Sequence, residues 1–201
     1  MRKLYRPVGF KELELILNTG CRRYPKRLPT QPIFYPVLNQ EYAIEIAKKW
    51  NTKDSNSGFS GYVTEFNIDQ EYMSKYESHI VGSTQHEELW VPSDQLSEFN
   101  SQIIVPIKIS HAFYGEQYVG KDNKINCDNY VDQFILFKNL KNYNPMDFSC
   151  MIQSNWKIVT LNYIAWQNHD YTQEISEEEK QKLLNEIKKI LIRNKKWFFV
   201  F

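Results

Sequence analysis

The sequence predicts the α+β class: a β-sheet core with flanking helices, followed by a C-terminal α/β extension. Hydrophobic residues make up 42% of the 201 residues and aromatic residues 15%, a composition typical of a globular chain with a full core. Runs in which apolar and polar residues alternate are interspersed with segments of helical period. Prolines and polar turns separate these segments, so strands and helices are expected to follow one another at short intervals.

The N-terminal region predicts a strand followed by an amphipathic helix. Residues 3–8 have the composition of a short strand. The next segment places its apolar residues on one helical face, formed by Phe10, Leu13, Ile16 and Leu17. Gly20 is typical of the position that ends such a helix, and the prolines at 25, 29, 32 and 36 predict a loop over residues 21–31.

A second strand and a second helix are predicted next. Residues 33–37 are rich in β-forming side chains, and Asn39 is a favourable helix N-cap. The helix is expected to bury one stripe, formed by Tyr42, Ala43, Ile46, Ala47 and Trp50. Residues 51–61 are polar and predict a loop, and residues 62–69 alternate as a strand.

The middle of the chain predicts shorter elements. Residues 71–84 have little periodicity and predict a flexible segment. Residues 89–91 predict the core of a buried strand, which a proline closes. Residues 93–100 predict a brief helix, and residues 103–109 predict a strand whose Pro106 indicates an edge position.

The C-terminal half contains three further segments with regular patterns. Residues 131–140 predict one element, and residues 156–166 alternate well enough for a strand, with a helix as the alternative. Ser176 and Glu179 form the capping box of a long helix. Its predicted buried stripe consists of Leu183, Leu184, Ile187, Ile190 and Leu191. The aromatic residues of 197–201 are expected to pack onto the body of the protein.

A change in composition after residue 110 indicates how the chain is organised. Residues 1–110 carry the alternation of strands and helices, whereas residues 111–201 are richer in Asn, Asp, Lys and Tyr. We expect 1–110 to form the core and 111–201 to form an extension that packs on it. Whether the two make separate domains or one continuous domain stays open.

Charge and cysteine content limit the function classes. The 25 Lys and Arg residues nearly balance the 24 Asp and Glu residues, giving a formal charge of +1. This balance argues against a generally nucleic-acid-seeking or membrane-seeking surface. Three cysteines without metal-ligand spacing predict neither a disulfide framework nor a metal site. With no apolar leader at the N-terminus, the sequence predicts a cytoplasmic protein.

Two adjacent carboxylates, Glu87 and Glu88, stand directly before the apolar residues 89–91. Strand side chains alternate between faces, so these two glutamates cannot both point to solvent from one side. A buried carboxylate without a partner is costly. Glu88 is therefore expected either to hold a structural salt bridge or to serve a functional site.

Three segments, in this order, resemble the ADP-ribosyltransferase superfamily, in particular bacterial mono-ADP-ribosyltransferases of the Arg-Tyr/Ser-Glu type. LYRPVG is similar to the family's first strand, with its arginine at Arg6. IFYPVLNQEYAIEIAK is similar to the strand-then-helix segment, and HEELWVP to the late carboxylate motif, with the catalytic glutamate at Glu88. The resemblance covers residues 4–109 and implies a split mixed or antiparallel sheet.

The resemblance also implies a reaction and a set of site residues. NAD would be the co-substrate, and ADP-ribose would pass to a macromolecular acceptor, either a protein or a nucleic acid. Catalysis would depend on Glu88, with His86 facing the acceptor. The NAD-binding residues would be Tyr5, Arg6, Phe34 and Tyr35, and the substrate contacts would be Arg22, Arg23, Arg27, Thr84 and Gln85. An intracellular toxin of this type would have an antitoxin as a partner.

The sequence departs from the family pattern in two places and leaves alternatives open. His86 stands where arginine-modifying members carry Glu or Gln, which disfavours arginine as the acceptor. Tyr35 stands in place of a Ser-Thr-Ser motif. Arg6 has a structural alternative as the ion-pair partner of Glu12 or Glu14. The alternative functions are an inactive NAD-binding or partner-binding module, and an RNA- or DNA-directed ADP-ribosyltransferase or phosphotransferase.

Overall fold

The computed structural model describes residues 1–82, 85–121 and 124–201. The protein is a mixed α+β structure, 44% helical and 20% strand, with small antiparallel sheets, which confirms the predicted class at this level. The chain packs as two compact units. The sheet unit consists of Met1–Tyr118 with Phe198–Phe201, and the helical unit consists of Val119–Trp197.

The sheet unit contains the strands and four α-helices. Its strands are β1 (Arg2–Val8), β2 (Ile33–Phe34), β3 (Ser60–Ile68), β4 (Ser78–Ile80), β5 (Glu87–Leu89), β6 (Val91–Pro92) and β7 (Ile103–Tyr114). Its helices are α1 (Phe10–Asn18), α2 (Gln40–Lys49), α3 (Gln70–Met73) and α4 (Leu96–Ser101), with a 3-10 turn at Asn51–Lys53. The predicted division after residue 110 falls inside β7.

The described strands form three antiparallel sheets, two of which meet at Val37. In the first sheet, β3 lies between β1 and β7. The other two sheets are the pairs β2–β6 and β4–β5. Val37 bridges to Tyr5 of β1 on one side and to Glu88 of β5 on the other. Tyr5, Val37 and Glu88 therefore lie in one row across the sheet.

The two faces of β1 pack against different helices. Leu4, Arg6 and Val8 are buried on the side that faces α1, which we call the α1 face. Tyr5 points the other way, towards the cluster that α2 forms with Val37, and this side is the α2 face. Consecutive strand residues point to opposite faces, which accounts for the division.

A glycine lets α2 approach the sheet closely. A Cβ atom at Gly61 of β3 would overlap the carbonyl oxygen of Ala47. That oxygen belongs to the backbone of α2, so the clash could be relieved only by moving the helix. Gly61 therefore fixes how near α2 lies to the α2 face.

The strongest sequence patterns in the sheet unit are confirmed. Helix α1 buries Leu13, Ile16 and Leu17, and the side chain of Asn39 caps α2 by accepting hydrogen bonds from its first turn. Strand β7 lies at the end of the order β1-β3-β7, as Pro106 indicates. The aromatic tail also packs on this strand, because Phe198 and Phe199 are buried and the Phe198 carbonyl accepts a hydrogen bond from the backbone of β7.

Three predictions in the sheet unit are wrong. Trp50 leaves the buried stripe and is 52% exposed, because α2 ends one residue before it. Trp90 is not a strand core residue: it lies between β5 and β6 and is 43% exposed. The segment 71–84 is predicted as flexible, but its described residues 71–82 contain the end of α3 and all of β4, which is too short to leave a periodic pattern. Residues 83 and 84 lie outside the described residues.

The helical unit differs from the predicted α/β extension. Its described residues form the helices α5 (Tyr130–Tyr143), α6 (Pro145–Ser154), α7 (Trp156–Asn168) and α8 (Glu177–Arg193), and no strand. The capping box of α8 is present, and its predicted stripe is buried. Within the described residues, no helix combines the length and apolarity needed to cross a membrane.

Helix α7 shows that residues 156–166 follow the second of the two predictions, the helix, and not the strand. Its residues from 158 to 163 are all buried, including the polar Thr160 and Asn162. Asn162 donates hydrogen bonds to the carbonyl of Gly120, at 3.0 Å, and to the side chain of Gln133, at 2.7 Å. Because these polar residues face inward, they mark no exposed helical face, and the alternation imitates a strand.

Candidate functional site

Glu88 is the middle residue of β5, and its side chain lies on the α2 face next to Val37. It pairs with His79 of β4 and bridges to Val37, so it is flanked on both sides by backbone ladders. The side chain is half-buried. Within the described residues, its carboxylate makes no hydrogen bond and no ion pair. Partial burial of a carboxylate without a protein partner costs free energy, and a ligand that donates hydrogen bonds or carries positive charge would offset that cost.

Two stacked ring pairs flank Glu88. His86, two residues before it, stacks on Tyr42 of α2, with ring centroids 4.1 Å apart and an interplanar angle of 12°. Trp90, two residues after it, stacks on His79 at 4.2 Å. The Tyr35 ring meets Trp90 edge-on at 6.0 Å. We call these six residues the Glu88 site: Tyr35, Tyr42, His79, His86, Glu88 and Trp90.

The local sequence explains why these side chains meet. Residues 33–38 run antiparallel to residues 87–92, first through the β2–β6 pairs and then through hydrogen bonds between the backbones of Pro36 and Leu89 and of Leu38 and Glu87. Alternation then directs residues 86, 88 and 90 to the same face. The Asn39 cap starts α2 at the end of this ladder, which brings Tyr42 over His86.

Burial dominates the electrostatics of Glu88. Desolvation raises the pKa of its carboxyl above the usual range, and Coulombic interactions with Arg6, His79 and His86 oppose this shift. Tyr42 responds in the same sense: its own burial raises the pKa of the phenol, and the charge of Glu88 adds to the increase. A carboxyl with a raised pKa beside aromatic rings is typical of functional sites.

His86 is fixed by contacts at both ring nitrogens. Its Nδ1 lies 3.2 Å from the carbonyl of Val81, and its Nε2 lies 3.2 Å from Oε2 of Glu45. Lys49 donates a hydrogen bond to the other oxygen of Glu45, and this bond, together with His86, lowers the pKa of that carboxyl. The contacts at both nitrogens hold the His86 ring in place beside Glu88.

Arg6 lies on the opposite face from the Glu88 site. Its Nε and Nη2 donate to the two carboxylate oxygens of Glu12, at 2.8 and 3.2 Å, and its Nη1 donates to the carbonyl of Tyr35 at 3.0 Å. The guanidinium also lies over the ring of Phe34, 4.6 Å from the centroid. The structure therefore does not bring Arg6, Tyr35 and Glu88 into one cleft, and Arg6 adopts its structural alternative with Glu12.

The remaining predicted residues divide between the two faces. Tyr5 shares the row of Glu88. Phe34 is completely buried in the core of the α1 face, where it packs with Tyr24 and Phe99, so it offers no surface to nicotinamide. Arg27 joins the Arg6 cluster, with its Nη1 3.6 Å from Oε1 of Glu12.

The other substrate contacts predicted from the resemblance lie at exposed positions or outside the described residues. Arg22 and Arg23 are exposed, and their backbone amides donate to the hydroxyl of Thr19. Gln85 is exposed beside His86 in the chain. Thr84 lies outside the described residues.

The sequence does not predict three of the site residues. His79 belongs to a segment without periodicity, and only its pairing with Glu88 places it in the site. The sequence pattern places Trp90 in a strand core and Tyr42 in the buried stripe of α2. The one available signal is the distance of two residues between His86, Glu88 and Trp90, which puts all three on one face of an extended segment.

The Glu88 site can hold a flat, positively charged group with hydroxyls nearby. Aromatic rings on either side give stacking surfaces, and the carboxylate supplies negative charge and two acceptor oxygens. Within the described ranges, no three His, Cys, Asp or Glu side chains are grouped so that they could hold a metal ion. The stacking surfaces and the charge of the site come from its six side chains.

No protein-family model matches the chain, and comparisons with curated proteins and with solved structures give no match either. The assignment of a function therefore rests on the Glu88 site itself.

Proposed function

We propose that the protein is an NAD-dependent ADP-ribosyltransferase in which Glu88 is the catalytic carboxylate. The observation that carries the proposal is the half-buried carboxylate of Glu88, unpaired among the described residues, between two ring pairs. Its support also includes the order of the segments that resemble the superfamily. The three-stranded sheet and the β4–β5 pair, which are joined at Val37, suit the split sheet of that fold.

The proposed reaction uses the charge of Glu88 at the anomeric carbon. The bond between nicotinamide nitrogen and ribose C1′ breaks, its electron pair goes to the nitrogen, and nicotinamide leaves as a neutral molecule. Ionised Glu88 holds the ribose hydroxyls and stabilises the positive charge that develops on the ribose. Tyr35 and Trp90 provide the surface for the nicotinamide ring. An acceptor nucleophile on a protein or nucleic acid then bonds to C1′ and gives up its proton.

The test compares Glu88→Gln with Glu87→Gln, a neighbouring half-buried glutamate on the alternate side of the strand. Release of nicotinamide from labelled NAD, and label transfer to protein or nucleic acid in a lysate, are measured for both variants. Loss of one stabilising group of this kind costs about 10² to 10³ in rate. Glu88→Gln is expected to lose that much and Glu87→Gln little. Equal activity of Glu88→Gln and the wild type would refute the assignment.

A specific observation favours a second candidate, a catalytically inactive NAD-binding module. Arg6, the expected clamp for NAD, already donates to Glu12 and to the Tyr35 carbonyl. If the arginine of the superfamily pattern is required for transfer, the site would bind NAD without cleaving it. Calorimetry with NAD, combined with the nicotinamide assay, distinguishes the two: binding without release supports the module, and release that depends on Glu88 supports the transferase.

A further inference from the structure

His86 makes a contact at each nitrogen of its ring, and both contacts are with hydrogen-bond acceptors. Nδ1 lies 3.2 Å from the carbonyl oxygen of Val81, and Nε2 lies 3.2 Å from Oε2 of Glu45. A carbonyl oxygen and an ionised carboxylate can only accept hydrogen bonds. The Val81 carbonyl is fixed in this position, because the backbone N–H of the same residue donates to the carbonyl of His86 at 2.9 Å. The imidazole of His86 is therefore placed between two acceptors.

The carboxylate of Glu45 is ionised and is held at its other oxygen. Lys49, one turn further along α2, donates to Oε1 of Glu45 at 2.9 Å. This hydrogen bond lowers the pKa of the Glu45 carboxyl, and the contact with His86 lowers it further. Because Lys49 engages Oε1, Oε2 is the oxygen that accepts from His86.

Only the doubly protonated form of the imidazole satisfies both contacts. A neutral imidazole has a single N–H, so it leaves a lone pair against either the Val81 carbonyl or the Glu45 carboxylate. The imidazolium has an N–H at each nitrogen and can donate to both. The ring of Tyr42, stacked on His86 with centroids 4.1 Å apart, also attracts a cation more strongly than a neutral ring. The geometry therefore favours a positive charge on His86.

The charge on His86 lies on the same face of the extended segment as Glu88. Two residues along an extended chain span about 7 Å. Burial raises the pKa of the Glu88 carboxyl, and Coulombic interactions, including the one with His86, oppose that increase. Among the described residues, the titratable and charged groups around His86 and Glu88 are Tyr42, Glu45 and Lys49 of α2, His79 of β4 and Arg6 of β1.

We propose that Glu45 is a positioning residue of the Glu88 site, which holds His86 in its doubly protonated form and so fixes a positive charge beside Glu88. The side chains of Lys49, Glu45, His86 and Glu88 then alternate in charge. A fixed cation favours the ionised form of Glu88, so this carboxyl ionises at a lower pH than burial alone would allow. The consequence for catalysis rests on the proposed function, in which ionised Glu88 stabilises the ribose cation.

The experiment follows the two side chains by NMR and does not depend on catalysis. The ¹⁵N signals of the His86 ring report how many protons the imidazole carries, and the ¹³C signal of the Glu88 carboxyl reports its ionisation. The test variants are Glu45→Gln and His86→Gln. The control is Glu14→Gln, which removes another lysine-paired glutamate, on α1. Thermal melting shows that each variant is folded.

At about pH 6.5, Glu45→Gln is expected to lower the ratio of doubly to singly protonated His86 about threefold, the effect of losing a partly exposed ion pair. In His86→Gln, the Glu88 carboxyl should ionise about one pH unit higher than in the wild type, because a charge about 7 Å away is lost. Glu14→Gln should change neither quantity. An unchanged ratio in Glu45→Gln, or an unchanged ionisation of Glu88 in His86→Gln, would overturn the proposal.

The pH dependence of nicotinamide release separates this inference from the proposed function. If ionised Glu88 is catalytic, the acid limb of the release rate should move up by about one pH unit in His86→Gln. No release by the wild type, with the NMR changes present, would refute the transferase and still support the role of Glu45. Release that depends on Glu88, with an unchanged acid limb in His86→Gln, would overturn the inference and leave the transferase standing.

Discussion

The two faces of the sheet differ in whether a charged side chain has partners in the protein. On the α1 face, Arg6 is buried but fully engaged: it shares two hydrogen bonds with Glu12, donates a third to a carbonyl, and lies over an aromatic ring. On the α2 face, Glu88 is half-buried and has no such partner among the described residues. The charge of Arg6 is satisfied by groups of the fold, whereas the charge of Glu88 remains available to a ligand.

This difference separates residues that stabilise the fold from residues that can act on a ligand. Removing one member of a buried ion pair strongly destabilises the protein, because the charge of the other member is left uncompensated. An unpaired carboxylate contributes nothing comparable, and its removal should be tolerated. Substitutions on the α1 face should therefore lower stability, and substitutions at Glu88 should lower activity and leave stability nearly unchanged.

The largest loss of stability is expected for Arg6→Met, which leaves the Glu12 carboxylate without its main partner. We expect the free energy of unfolding to fall by about 3 kcal/mol, at the low end for a broken buried pair because Glu12 keeps some contact with water and Arg27. Urea unfolding measures the change. Lys3→Met, which breaks an exposed pair in the same strand, is the control and should cost less than about 1 kcal/mol.

A smaller loss is expected for Gly61→Ala, which drives a methyl group into the backbone of α2. Overpacking of this kind costs about 1 to 3 kcal/mol. Because α2 must move away from the sheet, Tyr42 should also separate from His86, and binding at the Glu88 site should weaken with stability. Asn67→Ala, a half-buried position in the same strand, is expected to change neither. Calorimetric melting and ligand titration report the two effects.

Glu88→Gln is expected to leave stability nearly unchanged. The amide keeps the size of the carboxyl and loses no hydrogen bond, so the free energy of unfolding should stay within about 0.5 kcal/mol or rise. Activity should nevertheless be lost if Glu88 is the catalytic carboxylate. A Glu88→Gln protein destabilised as much as Arg6→Met would show that Glu88 is a structural residue and that the two faces do not differ.

The smallest expected effect is a pH dependence of the stability difference between Glu88→Gln and wild type. Burial raises the pKa of Glu88 in the folded state, so the folded protein binds the proton more tightly than the unfolded chain does. The stability that this carboxyl contributes is therefore present at low pH, where it is protonated in both states. That stability is lost as pH rises through the raised pKa of the folded state. The melting temperature of Glu88→Gln, relative to wild type, should increase from about pH 4 to about pH 7. A difference that falls over this range would contradict the raised pKa.

Sequence reasoning works where local signals are strong. Asn39 and Ser176 are capping residues with short-range consequences, and the helices that follow them begin where expected. Glu88 also stands out from the sequence, because a carboxylate beside a buried strand needs a reason. Pairing at long range is what the sequence does not reveal: nothing local shows that His79 lies opposite Glu88.

The expected meeting of Arg6 with Glu88 fails for a reason that alternation could have revealed. Tyr5 and Arg6 are neighbours in a strand, so only one of them can face the α2 side. The resemblance predicts that Arg6 faces Glu88, whereas the bridges through Val37 place Tyr5 on the face of Glu88. Between the strand and the helix that residues 156–166 allowed, the sequence could not decide, because the buried Asn162 makes hydrogen bonds inside the unit and its polarity hides the helical period.

The return of residues 198–201 to β7 has a consequence for synthesis of the protein. The backbone of Ile109 bonds to Phe198 and Val200, so the outer edge of the sheet is closed by residues made after the whole of Val119–Trp197. A ribosome must therefore deliver the helical unit before the sheet unit can finish folding. Until then β7 exposes an open edge, which in a nascent chain can pair with a strand of another molecule.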